Sequence, residues 1–123
     1  MKRLFGIFAC AALLGACGAS VEGEWRGTLA DTNGNAAEMV LQLTQSGGEV
    51  LGTMTSFGLP CLTAATLEGT VDGEALSLIG SNGETKIELA GKVNEEETEL
   101  TGTFEIPTAG ACVGAKGQWK ATR

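Results

Sequence analysis

The stretch "WRGTL", residues 25–29, sets a large apolar residue at each end, a glycine in the middle and polar residues between. The same apolar–x–Gly–x–apolar unit returns as "VLGTM" (50–54), "LEGTV" (67–71), "LAGKV" (89–93) and "LTGTF" (100–104), and "AKGQW" (115–119) is a close variant. Residues i, i+2 and i+4 share one face of a β-strand, so each unit reads as a strand with its glycine on the apolar face. Glycine inside a strand costs about 0.5–1 kcal/mol relative to alanine. Six such sites need a structural reason. A narrow barrel supplies one, because sharply coiled strands require inward positions that leave room for large neighbours. The other reading is close approach of a ligand to the backbone.

Working outward from these units gives eight period-2 segments. They centre on Trp25–Leu29, Met39–Leu43, Val50–Met54, Leu67–Val71, Leu76–Leu78, Ile87–Val93, Leu100–Ile106 and Gly117–Ala121. Apart from Val40 and Leu51, each alternates an apolar face with a mostly polar, Thr-rich one, as in an antiparallel sheet with one wet side. The links "DTNGN" (31–35), "QSGGE" (45–49), "VDGE" (71–74) and "SNGE" (81–84) carry hairpin-turn residues. Sequence neighbours are therefore expected to be spatial neighbours. Closure buries every apolar face and removes the edges. The expected fold is all-β, an eight-stranded antiparallel up-and-down β-barrel.

The N-terminus reads as an address. Met1-Lys2-Arg3 is basic, and "LFGIFACAALLGA" (4–16) is an apolar run too short to span a bilayer. The sequence Leu14-Gly15-Ala16-Cys17 resembles the lipobox of bacterial lipoproteins. That resemblance implies residues 1–16 as signal peptide, lipid attachment at Cys17, residues 17–22 as a lipidated tether and residues 23–123 as the barrel domain. Gly18, where an inner-membrane lipoprotein carries Asp, implies the outer membrane, facing periplasm or cell surface. The alternative is an ordinary cleaved signal peptide with an incidental cysteine.

Without Lys2 and Arg3 the mature chain keeps 6 basic and 15 acidic side chains, a net charge of −9. Such a balance argues against nucleic acid as a partner. Cys61 and Cys112 remain after Cys10 is discarded and Cys17 acylated. In an exported chain the pair reads as a disulfide, with two free thiols as the alternative. Closing that loop stabilises by roughly 4 kcal/mol on the chain-entropy model. In a meander, the long links "SFGLPCLTA" (56–64) and "PTAGACVG" (107–114) share a rim, as a bond between them requires. The other rim carries both termini.

Catalysis is not expected. The chain has no His, no nucleophile motif, no phosphate loop and no metal-ligand spacing, so neither catalytic residue, cofactor nor metal is expected. "DTNGNAAE" (31–38) lacks the calcium-loop glycine and terminal acid.

Gly23-x-Trp25 on the first strand, with Arg123 or Lys120 after the last, resembles the Gly-x-Trp signature of lipocalin and calycin barrels. The resemblance implies that Trp25 closes the barrel base with Arg123 packed over it, and antiparallel pairing of the first and last strands in a closed barrel is expected to bring Trp119 to Trp25 there. The size is similar to avidin, but with no Tyr and two Trp, biotin is not the expected ligand. Inward Leu29, Met39, Leu41, Met54, Leu76, Leu78, Ile87, Leu89 and Phe104 suit a small hydrophobic ligand, or simply fill the barrel. Phe57, Leu59 and Leu62 around Cys61 read as an exposed contact rim for a periplasmic protein, with local loop packing as the alternative. The expectation is a monomeric, membrane-anchored binding module. The alternatives are a barrel similar to periplasmic protease inhibitors, or a purely structural envelope lipoprotein.

Overall fold

A computed structural model describes residues 19–58, 62–83, 85–107 and 114–123. Cys17, Leu59, Cys61 and Cys112 lie outside these described residues.

Eight strands run in order: β1 (Gly23–Asp31), β2 (Ala36–Ser46), β3 (Glu49–Phe57), β4 (Ala64–Asp72), β5 (Ala75–Ser81), β6 (Lys86–Val93), β7 (Glu99–Glu105) and β8 (Lys116–Thr122). Each pairs antiparallel with the next, and β8 returns to β1 with Leu29 opposite Trp119, closing the barrel. The architecture is the eight-stranded up-and-down barrel expected from the strand periodicity.

The alternation holds along the wall. Trp25, Leu29, Leu41, Val50, Ile87, Leu89 and Leu100 are buried, and the residues between them face solvent. Leu51 and Ile79 break the pattern on the outside, 59% and 48% exposed. The short "LSL" period does not mark Ile79, because β5 continues two residues past it.

The repeated glycines have a sharper cause than room for side chains. A Cβ on Gly27 would lie 1.7 Å from the Lys120 carbonyl oxygen, on Gly69 1.8 Å from that of Ser77, and on Gly102 1.8 Å from that of Ala90. Gly52 and Gly117 meet the same obstacle at 2.0 Å, from Gln42 and Ala30. At these points the strand bends so far that its inward direction aims at the neighbouring backbone. A backbone carbonyl in a ladder cannot step aside. The glycines are therefore fixed by the coiling of the wall.

Links β2–β3, β4–β5 and β6–β7 share one end with both described termini. The longer links β3–β4 and β7–β8 lie at the other end with β1–β2 and β5–β6. These are termed the strap end and the loop end.

Candidate functional site

At the strap end the chain closes the barrel with its own first described residues. Val21 is fully buried in the core and Ala19 packs against it. Ala19 N–H donates to Gly73 O (2.9 Å), Ser20 N–H to Glu97 Oε2 (3.1 Å) and Val21 N–H to Gln45 Oε1 (2.8 Å). Gln45 Nε2 donates back to Ala19 O at 3.1 Å. Residues 19–22 are thus a strap laid across the barrel end, not part of a free tether.

Trp25 lies beneath the strap and donates from Nε1 to Val21 O at 2.8 Å. Arg123 covers its ring, the guanidinium carbon 4.2 Å from the centroid, a cation–π contact. The same guanidinium donates to Ser20 O (3.1 Å), Glu22 O and Glu97 O (2.8 Å), tying strap, C-terminus and β6–β7 turn together. Burial draws its pKa below the usual arginine value, and the charge of Glu97 opposes that shift. Gly23 has φ +129°, and a Cβ there would lie 3.1 Å from Arg123 Nη1. The Gly-x-Trp spacing therefore keeps the guanidinium over the ring. Lys120, the other candidate cation, faces outward to Glu99 at 3.0 Å.

The Trp119 backbone starts further along the wall. Its partner Leu29 is four residues beyond Trp25 on β1, about 13 Å along the strand. Its indole lies along the inner wall from β8 over Gly102 toward Gly91 of β6. A Cβ on Gly91 would come within 2.9 Å of the ring, and Nε1 donates to Ala90 O at 3.3 Å. Register, which composition does not encode, separates the two tryptophan backbones. Trp25 and Arg123 close the base, and the Trp119 indole packs against the β6 wall.

The loop end is built differently. Its inward positions include Ala37, Ala65, Gly80 and Gly117, which are small, and Met39 and Met54, the two methionines left after residue 1. The buried polar side chains Ser56 and Thr85 are here as well. Gly80 has side-chain neighbours, not backbone: a Cβ there would meet Ile87 Cγ2 at 2.8 Å and Leu67 Cδ2 at 2.9 Å. Two aliphatic plugs close the mouth. Ile106 is fully buried and held by a 2.8 Å bond from its N–H to Ala115 O. Leu62 is also fully buried, and Ser56 Oγ donates to its carbonyl.

Leu62 therefore corrects the expected contact rim. It turns into the barrel and offers no outer surface, its carbonyl held by Ser56 Oγ. Phe57 is 58% exposed on the same rim.

The turns are locally organised. Asp31 accepts from Asn33 N–H (2.9 Å), Asn35 N–H (2.8 Å) and Asn35 Nδ2 (3.1 Å), and the Asn35 bonds foremost hold its carboxyl below the usual aspartate range. The acidic β6–β7 turn is shaped by Asn94, whose Oδ1 accepts from Thr98 and Glu99 N–H groups (2.8 and 2.9 Å). A hollow of about 410 Å³ lies outside the wall over β6–β8, lined by Thr32, Glu88, Ala90, Thr103, Phe104, Glu105, Lys116, Gly117 and Gln118. Its charged, solvent-facing lining is unlike the enclosed apolar walls of small-molecule sites.

Fold and geometry together define a small closed barrel with one end strapped and the other end plugged. No family model and no curated protein match the chain. Among solved structures, that of EF1p2_mFAP2b bound to DFHBI is similar, with TM-score 0.63 and 16% identity over 94% of this chain and 98% of the other. At that identity the likeness is one of fold.

Proposed function

We propose that this protein is a non-catalytic, outer-membrane lipoprotein, anchored through acylated Cys17, whose barrel takes up a small hydrophobic ligand at the loop end. The carrying observation is the asymmetry of the interior. Large rigid side chains, a buried indole and a hydrogen-bonded strap fill one end. Small residues, two adaptable methionines and two loop-borne plugs, with Leu29, Ile87 and Phe104 beside them, fill the other. Displacing Leu62 and shifting the methionines makes space there without moving a strand. Ser56 and Thr85 provide hydroxyls to orient a ligand's polar atom. The similar barrel with DFHBI bound supports a fold of this size accommodating a small molecule. A Cys61–Cys112 bond ties the two plugging loops in this reading. The strap end lies nearest the membrane, so the mouth faces away from it.

Native mass spectrometry of the barrel purified from membranes tests this. A bound species of constant excess mass, lost on adding organic solvent, is expected. Leu62→Ala should raise uptake of an added fluorescent hydrophobe. A ligand-free spectrum together with unchanged uptake in Leu62→Ala defeats the reading.

The exposure of Phe57 on the same rim favours a second reading, a protein-contact surface of the protease-inhibitor kind. Unchanged partner recovery by Phe57→Asp removes it.

A further inference from the structure

We propose that the barrel stands directly on the bilayer by its strap end, with ammonium-bearing zwitterionic headgroups as the partner of that face. The inference rests on acylation of Cys17. With that lipid in place, the geometry of the strap decides how the barrel sits.

Lipoprotein barrels are readily pictured as tumbling on a leash, and here the leash is almost gone. Ala19 is already fixed, its N–H on Gly73 O at 2.9 Å and its carbonyl held by Gln45 Nε2 at 3.1 Å. Ser20 and Val21 are bound in turn by Glu97, Arg123 and Gln45. Val21 is fully buried, so releasing the strap exposes core. Two peptide units link Ala19 to Cys17, a span of at most about 7 Å. The acyl chains of that residue must enter the hydrocarbon. The strap end is thereby drawn to the headgroup layer, and three consecutive bonded residues prevent the barrel from swinging away.

The chemistry of the footing is set by the side chains around the strap. The turns beside it present Asp72, Glu74 and Glu96 as exposed side chains. Arg123, the nearest cation, is engaged on Trp25 and three backbone carbonyls. Exposed Lys92, opposite Ala75, offsets one of these charges; the negative balance that is left is repelled by an anionic lipid surface and matched by the ammonium of a phosphatidylethanolamine-type headgroup. A second consequence is orientation. The long axis is held upright, and the loop end is presented at a fixed height of one barrel length.

Neutron reflectometry of the full-length lipidated protein on a supported phosphatidylethanolamine bilayer reads this directly. The native chain should give one protein layer in contact with headgroups. A ten-residue Gly-Ser insertion between Gly18 and Ala19 leaves the strap intact and should add a hydrated layer of about 17 Å, the flexible-chain length for ten residues. Raising the anionic lipid content should lower the amount of native chain that inserts without opening a water layer beneath it; an unchanged amount overturns the headgroup assignment. A water layer of equal thickness under both chains overturns the proposal while leaving acylation standing. If no layer forms and the N-terminal peptide has the mass of an unmodified cysteine, acylation itself fails, and the footing with it.

Discussion

The two ends of this barrel solve one problem, sealing an apolar interior from water, by opposite means. The strap end uses a covalent continuation of the chain, an indole and a guanidinium whose three nitrogens each donate to a backbone carbonyl. Each part holds another: Val21 needs Trp25, Trp25 is covered by Arg123, and Arg123 reaches back to Ser20. The loop end uses Leu62 and Ile106, single aliphatic side chains on loops, over a lining of small residues and methionines. The strap end resists local opening because several bonds must break together. The loop end opens by moving Leu62 and Ile106 and the loops that carry them. The first end is architecture, and the proposed function assigns ligand entry to the second.

The largest test of that contrast is Trp25→Ala. It leaves an indole-sized void under the strap and should lower unfolding free energy by about 3–5 kcal/mol, read by urea denaturation. The waist between the ends gives the scale for the wall itself. Gly102→Ala forces a Cβ against the Ala90 carbonyl and should cost about 3 kcal/mol, the upper part of the over-packing range. A near-neutral result would mean that the wall yields, and that the glycines are not fixed by coiling. Leu62→Ala should cost about 2 kcal/mol, the low end for a fully buried leucine, because the loop collapses into the space. A loss as large as that of Trp25→Ala would erase the distinction between the ends.

Arg123→Ala should cost between about 1 and 2 kcal/mol through lost cation–π contact and charged hydrogen bonds. It should also speed amide exchange at Ala19–Val21 without affecting Leu62. The smallest effect belongs to Asp31 at the loop end. Its folded pKa is depressed, so its contribution is full at neutral pH and fades as pH falls below about 3.9 through the lower folded value. In Asp31→Asn the urea midpoint should lose that acid-limb slope, and an unchanged limb would show the Asn35 bonds to be immaterial.

Much of this is legible in the sequence. Eight strands, their inward faces and closure follow from period 2 and the turn dipeptides, because strand faces are read from side-chain alternation alone. Trp25 with Arg123 is legible through the Gly-x-Trp spacing. Val21 hides in a short polar segment, although Val21, Gly23 and Trp25 continue the inward phase. Leu62 reads as an exposed rim residue because it precedes β4 out of phase with Ala65 and Leu67, and no local rule says which way a loop residue turns. The position of Trp119 depends on strand stagger, a property of the whole sheet. The site is thus less legible than the fold, since the plugging of a barrel mouth is decided by loops, where periodicity gives no signal.

The central claim is that the loop end, and only that end, accommodates an apolar ligand. After residue 1 the chain has only Met39 and Met54 as methionines, and both lie there. Carbon-13 labelling of methionine and valine methyls therefore gives two reporters at the mouth, with Val21, Val50, Val71 and Val93 reporting from the strap half. Titration with a small hydrophobic probe should shift both methionine signals and leave those four valine signals in place. Methionine signals unmoved at saturation, or shifts concentrated on Val21 and Val50, would contradict the account.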